Sequence, residues 1–292
     1  MKKSKNLGIL FIICSAFCFS CMNLFVRLSG DLPSIQKSFF RNFIALIFAL
    51  IIIGKNKIPL KITKSSIGPL LLRSVMGTLG ILCNFYAVDH LAIADASMLN
   101  KLSPFFVVIF SYLILKEKVT FYQAACITVA FFGSLFVIKP TASIFQHPAS
   151  LIGMLGGLGA GVAYTFVRVA SKRGVKGPVI VAFFSGFSCL VTLIPLVLDY
   201  HPMTASQLLF LLLAGLAAAG GQFSITAAYS HAPAREISVY DYTQIIFSTL
   251  LGLLFLQELP DGYSFIGYVI IIGASVVMFL LNNRKEKQAL SS

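Results

Sequence analysis

The sequence predicts an all-α polytopic membrane protein of ten transmembrane helices, arranged as two inverted five-helix repeats. Three observations predict it. Only 11% of the 292 residues are charged and 58% are hydrophobic, whereas a soluble domain carries about a quarter charged residues. The apolar residues fall in runs of about 20, which at ~1.5 Å per residue match a hydrocarbon layer ~30 Å thick. Segments of the first half also reappear, in order, in the second.

The expected spans are 7–29, 34–53, 67–88, 94–115, 121–138, 151–170, 178–198, 205–230, 238–256 and 263–281. The first follows Lys2, Lys3 and Lys5, as a signal peptide would, but no small-residue cleavage site follows it and it aligns with a later helix. It reads as an uncleaved span. At 100° per residue its Ile12, Ala16, Ser20, Asn23 and Arg27 share one face. In the third span Arg73, Gly77, Gly80 and Asn84 do the same. The fourth carries Ser97, Asn100, Lys101, Ser103, Pro104 and Ser111, and Pro104 is expected to free a backbone carbonyl, which a cavity tolerates and lipid does not. In the sixth, Gly153, Gly157, Gly161, Tyr164 and Arg168 lie within an arc of about 80°, a G-x-x-x-G pattern that allows close backbone approach. Gly215, Ala219, Gln222 and Thr226 form the matching stripe of the eighth. The ninth opens with Ser238-Val239-Tyr240-Asp241-Tyr242-Thr243-Gln244, in which Asp241 either reaches water or joins the tyrosines in a solute-contacting patch. Connections are short, leaving no room for a nucleotide-binding cassette or an extramembrane enzyme. All six cysteines, including Cys18-x-x-Cys21, fall within spans and read as packing residues.

A net charge of +13 is explained by topology rather than nucleic acid. With the N-terminus inside, the cytoplasmic segments hold sixteen Lys and Arg residues (Lys2 to Lys287) and the opposite loops only Lys139. The positive-inside rule then puts both termini in the cytoplasm.

The repeat is visible at an offset of 141. Phe25-Val26-Arg27-Leu28 meets Phe166-Val167-Arg168-Val169, and Leu113 to Glu117 meets Leu254 to Glu258. Five spans per copy is odd, so the second copy, 141–292, enters the membrane opposite to the first, 1–140. This inverted relation suits alternating access around a site between the halves, although some channels share it.

Arg41, Arg73 and Lys101 lie about seven residues inside their spans, at a depth where an unpaired charge is costly. Two readings stand: pairing with helix-end carbonyls or loop acids such as Asp31 and Asp89, or recognition of an anionic solute. Arg27, Lys37 and Arg168 lie near span ends and can snorkel. Asp95 and Asp241 are the acids within spans and the candidates for proton coupling.

Arg73-x-x-x-Gly77, Phe85-Tyr86-Ala87, Leu91 to Ser97, Ser103-Pro104-Phe105-Phe106 and Leu115-Lys116-Glu117-Lys118 together resemble the EamA-type members of the drug/metabolite transporter superfamily. The Ala94-Asp95-Ala96-Ser97 segment looks most like the branch of bacterial riboflavin and S-adenosylmethionine carriers and animal organic-anion relatives. The resemblance implies a secondary transporter without bound cofactor, its cavity lined mainly by the first, third, fourth, sixth, eighth and ninth spans. One departure is Ile245 where Pro104 would repeat.

Helix faces and resemblance together nominate Asn23, Arg73, Asn84, Lys101, Pro104, Tyr164, Gln222, Tyr240, Asp241 and Tyr242 as solute-binding residues. The expected function is carriage of a small organic metabolite such as an amino acid, vitamin or organic anion. A lipid or lipid-linked-sugar flippase and a multidrug-type exporter are the alternatives. Expected partners are the solute, the bilayer, and a proton or exchanged counter-solute, with the chain a monomer or homodimer. The four histidines lie at loops or span ends, and neither G-x-S-x-G nor H-E-x-x-H occurs, which argues against an intramembrane enzyme and a metal centre.

Overall fold

The computed structural model describes residues 2–60, 62–91, 93–140, 148–257 and 259–291, with the side chains of 2–4, 88–89, 93–96 and 285–291 outside that description. Among the described residues, ten helices are long and apolar enough to cross a membrane, from Lys5–Leu28 to Gly262–Arg284. Lipid offers backbone groups no partners, so each span satisfies its own as a helix. Exposed large apolar side chains such as Leu190, Ile194, Val197, Leu254 and Val269 face outward along them. The expected junction at 140/141 adjoins residues 141–147, which lie outside the described residues.

Eight spans are single helices: α1 (Lys2–Leu28), α2 (Ser34–Lys55), α3 (Lys64–His90), α6 (Phe121–Ile138), α7 (Pro148–Lys172), α8 (Gly177–Leu198), α9 (Ala205–His231) and α12 (Gly262–Ser291). The other two depart from expectation. The fourth is broken into α4 (Ile93–Asn100) and α5 (Ser103–Leu115). The ninth is α10 (Ala234–Ile237), a 3-10 segment Ser238–Tyr242, and α11 (Thr243–Leu256). Pro104 therefore does not kink a continuous helix. It sits in the first turn of α5, where its missing N–H would have had no intrahelical acceptor. The second break forms without proline, around Ile237–Tyr242.

The breaks are repeat equivalents, and so are the far ends of these spans. α5 is capped by Lys116 and α11 by Gln257, both in the left-handed region at φ 54° and 58°, with cap N–H groups returned to Ser111 O and Gly252 O. Each of these residues lies 141 positions from its counterpart.

Packing runs between the repeats more than within them. The most extensive helix pairs are α3 with α7, α1 with α9, α6 with α12 and α2 with α8. Every one joins a first-half helix to a second-half helix. The pseudo-two-fold exchanges the first two pairs and maps each of the others onto itself. Small residues set the α3–α7 crossing, where a Cβ on Gly80 would lie 3.0 Å from Ala160 N and one on Gly156 3.0 Å from Asn84 N.

Candidate functional site

The glycine stripe of α7 explains how the break in the fourth span is accommodated. A Cβ on Gly157 would lie 2.6 Å from Leu99 O, and one on Gly161 would lie 2.9 Å from Val107 N. Only a bare backbone lets the interrupted helix approach this closely. The corresponding stripe of α1 works differently, because Ser20 Oγ lies 2.9 Å from Gln244 O and can donate to that carbonyl beside the ninth span's break.

The two breaks meet at the centre. Lys101 Nζ donates to Asp241 Oδ2 at 3.1 Å and to Gln244 Oε1 at 2.7 Å, and lies 3.4 Å from Asp241 O. Tyr242 Oη donates in return to Lys101 O at 3.0 Å. Where the sequence offers Lys101 helix-end carbonyls, loop acids or an anionic solute, the structure pairs it with Asp241, an acid of the ninth span 140 residues away, which corrects the loop-acid reading for this residue.

Above this crossing lies a cavity of about 850 Å³ between the halves. It extends from Lys101 and Asp241 past Asn84, Asn23 and Arg27 to the loops holding Gly30, Asp31, Lys139 and Asp261. Its open end is thus opposite the side of the chain termini. Of the nominated residues, Asn23, Arg73, Asn84, Lys101, Tyr164, Gln222 and Asp241 line it. Asn100 Nδ2 donates to Asn84 Oδ1 at 3.0 Å, holding that amide in place. Pro104, Tyr240 and Tyr242 are buried and do not line it. Consecutive residues of the tight Ser238–Tyr242 segment point in different directions, so Asp241 reaches the cavity and its tyrosine neighbours pack into protein. Asp95 has a side chain outside those described, as does Glu258.

The end nearer the termini is sealed. Glu117 Oε1 accepts from Arg168 Nε at 2.6 Å and Lys172 Nζ at 3.0 Å, linking the repeats. Arg168 therefore does not simply snorkel. Its Nη1 also donates to Tyr229 O at 3.1 Å, and the Tyr229 ring stacks on Tyr164 at 5.3 Å between centroids. Lys5 and Glu236 approach at 3.9 Å on the same side.

At the open end Lys139 pairs with Asp261, whose oxygen Oδ1 also accepts from Ser264 N–H at 3.1 Å. The hydrogen bond from Lys139, then that from the Ser264 backbone, holds the Asp261 carboxyl down to about 2. An unfolded aspartate titrates near ~3.9. The depressed value means that the pair's contribution is present above about pH 4 and lost as pH falls toward 2. Wild type and Asp261→Asn are expected to differ in melting temperature by a small constant between about pH 5 and 8, and to converge only below about pH 3. Convergence already at pH 6 would assign the effect to another group.

Residues 6–139 and 151–280 each match the EamA-like transporter family. The chain belongs to this family. It is 32% identical over 273 residues to the pseudopaline exporter CntI of Pseudomonas aeruginosa, covering 93% of this chain and 95% of that protein. It is 25% identical over 290 residues to a riboflavin transporter of Rhizobium johnstonii, covering 96% and 93%. Solute carrier family 35 member G1 of Homo sapiens is 24% identical over 293 residues, covering 93% and 78%. One solved crystal structure superposes with a TM-score of 0.80 at 18% identity, over 94% of this chain and 98% of the other, and shares the fold.

Within this EamA-like chain, several cavity residues escaped nomination. Arg41, which its depth marks in the sequence, lines the cavity with Gln244, Phe184 and Ser248. Gln244 had a signal in the polar opening of the ninth span. Phe184 had none, since a phenylalanine in an apolar span is indistinguishable from its lipid-facing neighbours.

Proposed function

We propose that the chain is a secondary carrier that moves a small organic solute by alternating access, with Asn23, Arg73, Asn84, Lys101, Tyr164, Gln222 and Asp241 contacting the solute. The observation that carries this is the cavity between inverted repeats, open at one end and closed at the other by Glu117 with Arg168 and Lys172. Inverted repeats let the same elements build a seal at either end in turn. The relatives named as an exporter and a vitamin transporter support a soluble metabolite. Ionised groups deep in the cavity favour a polar solute over the apolar cargo of a multidrug exporter or lipid flippase. The excess of Lys and Arg beside the chain termini supports placing both termini in the cytoplasm, so that the open end faces outward. Proton coupling would fall to Asp241, the described in-span acid at the cavity floor.

Purified protein in liposomes loaded with mixed amino acids, vitamins, nucleosides and carboxylates is expected to exchange at least one labelled solute saturably. Non-saturable flux of small ions instead would make the protein a channel. The seal supplies a second check. Losing a charged hydrogen bond costs about 1.5–3 kcal/mol, or roughly tenfold or more in a two-state ratio. Glu117→Gln is therefore expected to raise maleimide labelling of Ser230→Cys, in a cysteine-free background, about tenfold from the terminus side. Unchanged labelling would remove Glu117 from the gate.

A further inference from the structure

Two cations in the cavity lack a counter-charge among the described residues. Arg41 is 7% exposed and Arg73 2%, yet both line the same cavity. Arg73 Nη2 donates to Gln222 Oε1 at 3.1 Å, and its guanidinium lies 3.9 Å from the Phe184 ring centroid and 5.8 Å from that of Tyr164. Arg41 Nε lies 3.1 Å from Met22 Sδ, a weak acceptor. Arg41 Nη1 and Arg73 Nε have no acceptor among the described residues. Among the described residues no carboxylate stands within ion-pair distance of either arginine, and the nearby acid, Asp241, is engaged by Lys101. At the cavity floor Arg41, Arg73 and Lys101 therefore face a single carboxylate, an excess of two positive charges.

Buried guanidinium groups with open N–H donors are strained by desolvation unless something completes them. Their planar forks match carboxylate oxygens in geometry as well as charge. Phe184 and Tyr164 add apolar walls suited to a carbon skeleton, which a bare inorganic ion would leave uncovered. We propose that Arg41 and Arg73 form the recognition site for a small organic anion bearing at least two carboxylates, which neutralises the pair on binding. This names the solute class of the carrier reading and rests on it for the transport step alone.

The test is thermal unfolding of the purified full-length protein with succinate, glutarate or citrate, against the neutral succinamide, the dication putrescine and inorganic phosphate. A ligand that prefers the folded state raises its melting temperature. At least one di- or tricarboxylate is expected to raise it, and succinamide and putrescine are not. Arg41→Gln and Arg73→Gln are each expected to weaken that carboxylate about tenfold or more. Without ligand both variants should melt no lower than wild type, because each removes an uncompensated buried charge. Arg73→Lys keeps the charge but loses the fork, and should retain part of the shift. The proposal is overturned if succinamide or phosphate stabilises and no carboxylate does, if the Gln variants keep the full shift, or if they melt well below wild type without ligand. Carboxylate binding without exchange in liposomes would sink the carrier reading and leave this site standing. Saturable exchange of uncharged solutes with no carboxylate binding would do the reverse.

Discussion

Lys101→Met is expected to cost about 3–5 kcal/mol of stability, the range for removing one partner of a buried ion pair. Methionine fills much of the same space, so the loss is electrostatic rather than a cavity. Asp241, with a side chain 14% exposed, would be left at the floor of the cavity without the cation that it pairs with among the described residues. Gln244 would lose its donor at 2.7 Å, and the two broken spans would lose their principal cross-link. Asp241 lines the open cavity, and solvent access there should hold the effect toward the lower end of that range. Lys101→Met/Asp241→Asn is expected to recover most of the loss, since an amide beside methionine carries no unpaired charge. The protein has no tryptophan and six cysteines, so unfolding is best followed with a thiol-reactive dye. If the double variant melts no higher than Lys101→Met, the two residues are not coupled and the crossing is held by something else.

The second large effect is expected at Gly159. A Cβ there would lie 2.8 Å from Met76 O and 3.0 Å from Gly80 Cα. Both are backbone atoms of α3, which cannot rotate aside as a side chain would. Forcing extra volume into a packed interface commonly costs about 1–3 kcal/mol, and a leucine at this crossing must separate two helices over their whole contact. Gly159→Leu is expected to yield little monodisperse protein and to lower the melting temperature of what remains. Gly273→Ala is the control, because a Cβ there meets nothing within 4 Å; it should be neutral or raise stability by up to about 1 kcal/mol. Equal behaviour of the two variants would mean that the α3–α7 crossing does not hold the halves together.

The spans could be read from the sequence because lipid imposes one strong requirement, about twenty apolar residues satisfying their own backbone. The repeat could be read because whole segments such as Phe25 to Leu28 and Phe166 to Val169 survived in register. The breaks were harder. Hydropathy averages across a span, so two unwound residues near Lys101 leave no trace in it. Pro104 hinted at the first break, but Ile245 gave no such hint for the second, where tertiary contacts with Lys101 and Ser20 hold the backbone. Ion pairing was the least legible feature, since nothing local to Lys101 points to Asp241. Depth did mark Arg41 and Arg73 as exceptional. Sequence could not say that they share one cavity, because that depends on how α2 and α3 pack against the opposite half.

The contact between the breaks also bears on how this chain can change over time. Position 101 corresponds to 242 and position 100 to 241, so Lys101 stands where the other half has Tyr242, and Asp241 where it has Asn100. Two copies of the first half would set lysine against asparagine at the crossing, and two copies of the second would set tyrosine against aspartate, so neither would keep the ion pair. Symmetry of backbone has been kept while the chemistry across the axis has become complementary. Each half supplies one member of the pair, so doubling either half would lose it.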